Sequence, residues 1–239
     1  MIGLLGKKLG MTQVYDPHGR RMAVTAVQAG PCTVLQVAQA SARGAQRVQL
    51  GFEPVAASTL TKPLAGRFQR LGQGPFRHVR EFTASNDATW TVGQQLTVEL
   101  FKEYELVDVT GISIGKGFQG GVKRWGWKGG PQTHGSMSHR APGSIGSTTT
   151  PGRVFRGHHL PGHMGSARVT VQHLRVVARD LEHHLLLLEG AVPGARTGLV
   201  MVRKSVKRPG VIRAPQVIQT VVEEEEPINK NAKAAKTKK

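Results

Sequence analysis

Leu106-Val-Asp-Val109 and, some sixty residues on, Val169-Thr-Val171 with Leu174-Arg-Val176-Val177 are strand-like runs, and the segment between them contains no carboxylate at all. From Val109 to Arg179 not one Asp or Glu occurs, so every formal charge there is positive. Alternation at period two sets apolar side chains on one face of a strand. The flanking runs therefore predict strands of one sheet, and the acid-free segment predicts an arm that leaves the sheet and returns to it.

The arm's charge comes from Lys116, Lys123, Arg124, Lys128, Arg140, Arg153, Arg156 and Arg168, continuing to Arg175 and Arg179, with His134, His139, His158, His159, His163 and His173 between them. Glycine is dense, and large apolar residues are sparse from Lys128 to Arg153. Such a segment buries too little apolar surface to offset its own ordering entropy, so it is expected to order against a polyanion.

Outward from the arm, more short strands are expected. Val24 and Ala26, Val34-Leu35-Gln36-Val37 and Val48-Gln49-Leu50 form one group, broken at Gly30-Pro31 and Gly44. Leu96-Thr-Val98-Glu-Leu100, Leu185 to Leu188 and Leu199-Val-Met-Val202 form another. Thr61 to Leu71 reads as a short helix, with Thr61 as cap, Pro63 in the first turn and Gly72 at the end. Many short strands without helical periods between them favour a mainly β, antiparallel barrel over an α/β fold. The expected organisation is a barrel body over residues 1–110 with a small α+β insertion near 52–95, a basic glycine-rich extension over 111–168, and closing strands over 169–212. Residues 213–239, with Glu223 to Glu226 followed by a Lys/Ala/Asn run, are expected to be a disordered tail.

A formal net charge of +18 favours phosphate polymers as partners through Coulomb attraction and counterion release. No run approaches the roughly 20 apolar residues that span a bilayer, and no membrane partner is expected. Met1 to Lys8 places its charges after a very short apolar run, the reverse of a secretory signal, and reads as mature protein. Cys32 is the single cysteine, which excludes an intramolecular disulfide and a thiolate cluster and fits a reducing compartment.

Several short motifs carry competing chemistry. Gly111-Ile-Ser113-Ile-Gly115 has the G-x-S-x-G form of a nucleophile elbow, with Asp180 and His183 downstream in serine-hydrolase order. The chain lacks the βα alternation that builds such a hydrolase, and Asp180 and His183 are close in sequence. Gly115-Lys116-Gly117 resembles part of a phosphate loop but lacks the spacing and the hydroxyl that holds magnesium. His158, His159 and His163 have no Cys or carboxylate nearby to complete a metal site; no metal and no cofactor are expected. Lys123-Arg124-Trp125-Gly-Trp127-Lys128 interleaves cations with indoles that stack on bases or ribose, and one of the two Trp residues is equally suited to packing into the arm's base.

Gly3-Leu-Leu-Gly-Lys-Lys-Leu-Gly-Met-Thr-Gln13 resembles the opening of the universal third protein of the large ribosomal subunit in its bacterial form. The arm agrees, through Asp108 to Gly121, Lys123-Arg-Trp125, Thr133-His-Gly-Ser136, Ser138-His-Arg-Ala-Pro-Gly-Ser-Ile-Gly146 and Thr150-Pro-Gly-Arg-Val154. Leu185 to Gly194 is similar to that family's closing strand and turn, and the resemblance extends from about Met1 to Arg203. It implies a six-stranded translation-protein barrel near the subunit surface and a looped extension towards the peptidyl transferase centre. It further implies contacts with large-subunit (23S) rRNA and with neighbouring large-subunit proteins, including the fourteenth and nineteenth, and a non-enzymatic role in early assembly. A cytoplasmic location in the ribosome follows, with no homo-oligomer. The RNA-binding residues implied or expected are Lys7, Lys8, Lys116, Lys123, Arg124, Trp125, Lys128, His134, His139, Arg140, Ser144, Arg153, Arg156, His158 and Arg168. The tip comprises Pro142, Gly143, Ser144, Ile145, Gly146, Thr148, Thr149 and Thr150. Two departures stand out: many members carry a methylatable glutamine where this chain has Thr149, and a lysine where it has Glu189. A free RNA-binding regulator or chaperone remains the competing function.

Overall fold

The computed structural model describes residues 3–39, 46–84 and 89–211. Along them run β1 (Gly3–Tyr15), β2 (Arg21–Ala29), β3 (Cys32–Gln39), β4 (Gln46–Pro54), helix α1 (Lys62–Leu71), β5 (Phe76–Ala84), β6 (Gln95–Leu96) and β7 (Leu106–Ile112). There follow β8 (Gly117–Gln119), the five-residue helix α2 (Gly121–Trp125), β9 (Gly162–Met164), β10 (Arg168–Asp180), β11 (Leu185–Glu189) and β12 (Leu199–Lys204). The expected tail over 213–239 lies outside the described residues.

Six antiparallel strands close on themselves as a barrel in the order β1-β12-β7-β10-β11-β2. The alternation in β7 explains its central place: Val107 and Val109 are fully buried inside, with Val200 and Val202 of β12 and Leu186 and Leu188 of β11. β7 pairs with β12 on one side and β10 on the other, so the strands flanking the arm do share one sheet. The two runs expected around Val169 and Leu174 are one strand, interrupted by a register shift between Val171 and Leu174.

β3, β4, β5 and β6 form a second sheet in the order β5-β4-β3-β6. Its Val34, Val48, Leu50 and Phe82 join the barrel's apolar residues in one continuous cluster, so this sheet stands on the barrel instead of folding around a core of its own. Helix α1 matches expectation in its bounds and in its left-handed C-cap at Gly72 (φ 64°), but Thr61 makes no capping side-chain hydrogen bond. The strand expected over Leu96–Leu100 stops at Leu96, and Val98–Leu100 is a single 3-10 turn. The reason is packing: Val98 and Phe101 are both fully buried, and a three-residue repeat aligns i with i+3, which an extended strand cannot do. No helix among the described residues is long and apolar enough to cross a membrane.

Candidate nucleic-acid interface

The arm leaves the barrel at Ile112 and returns at Arg168, paired residues of β7 and β10. Its root continues the ladder: Ser113 N–H donates to Ala167 O (2.9 Å), Ser166 N–H to Ser113 O (3.1 Å) and Lys116 N–H to Met164 O (2.9 Å). β8 and β9 extend it by three residue pairs. Gly165 (φ 79°) passes so close to the backbone of Ile114 and Gly115 that no Cβ fits there.

Beyond the ladder, α2 makes a compact knot. The Trp127 ring lies directly over Gly121, in the space a Cβ at that position would take. Trp127 is therefore half-buried, and Gly121 is the one fully buried residue of α2. Arg124 Nη1 donates to Leu160 O at 2.7 Å and Trp125 Nε1 donates to the same oxygen at 2.9 Å, tying the outgoing strand to the returning one. His159 stacks on Trp125 with ring centroids 4.0 Å apart and an interplanar angle of 3°, and the Arg124 guanidinium sits 4.9 Å from the Trp125 ring centre. The arm's base is thus ordered by its own contacts, contrary to the expectation that the whole segment orders only on a polyanion; the sequence showed its charge but not the Gly121–Trp127 fit.

Past this knot the chain changes character. Gly130 N–H donates to His139 O (3.0 Å), and His139 Nδ1 lies 2.9 Å from Pro131 O. From Met137 to His159 every residue is exposed, including Arg140, Pro142 to Gly146, Thr148 to Thr150, Arg153, Arg156 and His158. Among the described residues, none of the cations from Lys116 to Arg168 has a carboxylate partner; the ion pairs lie on the barrel and the second sheet. Eight unpaired cations on a projecting, acid-free, glycine-rich strip give a concentrated positive field at low self-screening. That arrangement suits close approach to a phosphate backbone, with Trp125 and His159 offering a flat π surface beside it.

Lys7 and Lys8 sit differently from the arm residues. Lys7 Nζ is 2.6 Å from Glu53 Oε1, and this hydrogen bond holds the Glu53 carboxyl below its ordinary pKa. Lys8 Nζ donates to Val192 O (2.7 Å) and Gly194 O (3.1 Å), clamping the turn beside β11. Both ammonium groups are engaged by protein acceptors far away in sequence. Glu189, where relatives' lysine was expected, accepts from Arg175 Nε at 2.8 Å. Lys128 and His134 are exposed just before that stretch, His139 lies within it, and Arg168 stands at the arm's foot. His159, absent from the residues expected to face RNA, had no signal beyond its place in a histidine pair.

The hydrolase arrangement does not assemble. Ser113 Oγ accepts from Ala167 N–H (3.2 Å) at the start of β10, whereas the Asp180–His183 pair (2.8 Å) lies at its other end. They stand at opposite ends of a 13-residue strand, which at about 3.3 Å per residue spans up to roughly 40 Å, and no hydrogen bond links Ser113 to either of them among the described residues. The Lys116 amide is committed to Met164 O, so Gly115-Lys116-Gly117 is ladder and not a phosphate-cradling loop. Among the described residues no group of three metal-binding side chains occurs. Cys32 is buried, and desolvation pushes its thiol up to about 12, far from thiolate reactivity.

Residues 74–179 match the family model described as Ribosomal protein L3. The chain is 49% identical over 205 residues to the large ribosomal subunit protein uL3 of Geobacter sulfurreducens, covering 86% of this chain and 98% of that one. It is 52% identical over 206 residues to the protein of the same name from Acidothermus cellulolyticus, covering 86% and 93% respectively. The aligned share leaves a part of this chain without a counterpart in those relatives.

Proposed function

This chain belongs to the ribosomal protein L3 family, and on that premise we propose that it is a structural, non-catalytic constituent of the bacterial large ribosomal subunit that binds 23S rRNA through its arm. The observation that carries the reading is the continuous exposed stretch from Met137 to His159 with unpaired cations along it. A barrel with a closed core gives a rigid mount, while a strip of this kind gains most of its binding free energy from releasing counterions of a polyanion. The contacts fall to Lys116, Lys123, Arg124, Lys128, Arg140, Arg153, Arg156 and Arg168, with Trp125 stacked on His159 as a platform for a base or ribose. Lys7 and Lys8 have the weaker claim, since their amines already have acceptors.

In this reading Pro142 to Gly146 and Thr148 to Thr150 form the tip and lie towards the peptidyl transferase centre, the protein acts early in subunit assembly, and its protein neighbours include the fourteenth and nineteenth large-subunit proteins. It works in the cytoplasm, within the ribosome. Thr149 stands where many relatives carry a methylated glutamine, so the tip here works without that modification. Installing a photoreactive residue at Ile145 and mapping its crosslinks in assembled subunits tests the placement. Crosslinks to 23S rRNA at the peptidyl transferase centre are expected; crosslinks confined to peripheral RNA or protein would refute it.

A further inference from the structure

We propose that Phe118 and His163 form a second RNA-contacting face at the arm's root, one that stacks on an unpaired base; this rests on the arm's proposed binding of 23S rRNA. The two residues are direct partners in the β8–β9 ladder, so their side chains stand side by side on one face, with Cβ atoms about 4.5–5.5 Å apart. Their neighbours Gln119 and Gly162, also paired with each other, belong to the opposite face. That opposite face is occupied: the Arg124 guanidinium lies where a Cβ on Gly162 would point, and Arg124 and Trp125 are both tied to Leu160 O. The α2 knot therefore covers one side of the ribbon and leaves the Phe118–His163 side bare.

Phe118 is 76% exposed, more than any other aromatic residue among those described, and His163 is exposed beside it. Phe118 lies outside the core, and neither ring makes a hydrogen bond or a ring contact among the described residues. The apolar area of such a ring is removed from water only by an incoming surface. A Cβ on Gly117 or Gly120 would meet nothing within 4 Å, so bare backbone on either side of Phe118 admits close approach. Charge selects the occupant. Lys116 and Lys123 flank β8 and are exposed, and with no carboxylate from Val109 to Arg179 the setting attracts phosphate. An apolar protein partner would call for a contiguous apolar patch, whereas the cross-strand neighbour of Phe118 is a histidine and its chain neighbours are Gly117 and Gln119. A single exposed ring among cations suits one unstacked base, with its phosphates on the lysines and the His163 ring nitrogens offering hydrogen bonds to its edge or ribose.

Titration of a 23S rRNA fragment with the full-length parent and its Phe118→Ala, Phe118→Leu and Phe118→Tyr variants, over a range of salt concentrations, tests this; thermal midpoints serve as the fold control. Phe118→Ala should weaken binding roughly 5- to 150-fold, the range for losing one stacked base, and equally at every salt concentration because no charge is removed. Phe118→Leu should bind as poorly as Phe118→Ala, and Phe118→Tyr should bind like the parent, since stacking needs a flat π face. In assembled large subunits, a photoreactive phenylalanine analogue at position 118 should crosslink to an unpaired nucleotide of 23S rRNA. Parent-like binding by Phe118→Ala, beside salt-sensitive binding by the parent, overturns the stacking site and leaves the arm's RNA binding standing. A parent that does not bind the RNA overturns both. Parent-like binding by Phe118→Leu, or crosslinks confined to protein, would assign the ring to an apolar contact with a protein neighbour and also overturn the proposal.

Discussion

Replacing Arg140, Arg153 and Arg156 by glutamine should make binding to large-subunit rRNA weaker and less sensitive to salt, with the barrel unaffected. All three side chains are exposed, lie outside the core and lack carboxylate partners among the described residues. For the eight cations from Lys116 to Arg168, counterion release of about 0.7 to 0.9 ion per neutralised phosphate predicts that log K falls by roughly 6 to 7 units per tenfold rise in salt. Removing three should make that slope shallower by about 2 to 3 units, and at about 0.15 M salt should weaken binding by roughly 50- to 150-fold. The assay is a titration of a fluorescent 23S rRNA fragment between about 0.1 and 0.5 M KCl, a range over which surface electrostatics is strongly screened. A slope unchanged by the triple substitution, or a loss of affinity equal at every salt concentration, would refute the assignment of these residues to phosphate neutralisation.

Replacing Lys128 to Arg153 by a short Gly/Ser linker should leave cooperative thermal unfolding within about 2 °C of the parent, since none of the removed residues is in the core; circular dichroism decides, and loss of cooperativity would contradict the division into barrel and arm. Gly121→Ala forces the Trp127 ring off α2, so tryptophan emission should shift to the red and rRNA affinity should fall while the unfolding midpoint of the barrel holds. Glu53, whose pKa is lowered mainly by the Lys7 hydrogen bond, contributes stability that is present above its unfolded pKa of 4.5 and is lost as pH falls through the lower folded value. Glu53→Gln should therefore lower the urea midpoint at pH 6, and the two proteins should converge as the pH drops well below 4.5; a constant gap at all pH values would argue against the ion pair.

The strands around the arm were legible because Val107 and Val109, or Leu186 and Leu188, alternate onto a buried face. The arm was legible because a self-contained globular surface intersperses both signs of charge, and the run from Val109 to Arg179 has no carboxylate to balance its cations. β1 was not read as a strand. Gly3, Gly6 and Gly10 weaken its pattern, yet Gly3 and Gly6 are required because the carbonyls of Val202 and Gln28 pass where their Cβ atoms would lie. Sequence pattern did not separate β3 and β4 from the barrel strands, since alternation reports a buried face and not which sheet owns it. At the site, Lys7 and Lys8 looked as free as the arm's cations; their acceptors at Glu53, Val192 and Gly194 come from elsewhere in the chain. The unequal roles of Trp125 and Trp127 likewise depend on Gly121 and Leu160, which only the folded arm brings alongside them.

The claim that this protein is a resident of the large subunit with its arm set in rRNA is tested most directly by co-sedimentation of the full chain with large subunits washed at high salt. Retention at one copy per subunit, at salt concentrations that strip loosely bound basic proteins, is the expected result. Release into the supernatant as free protein would contradict it and favour a transient RNA-binding regulator or chaperone.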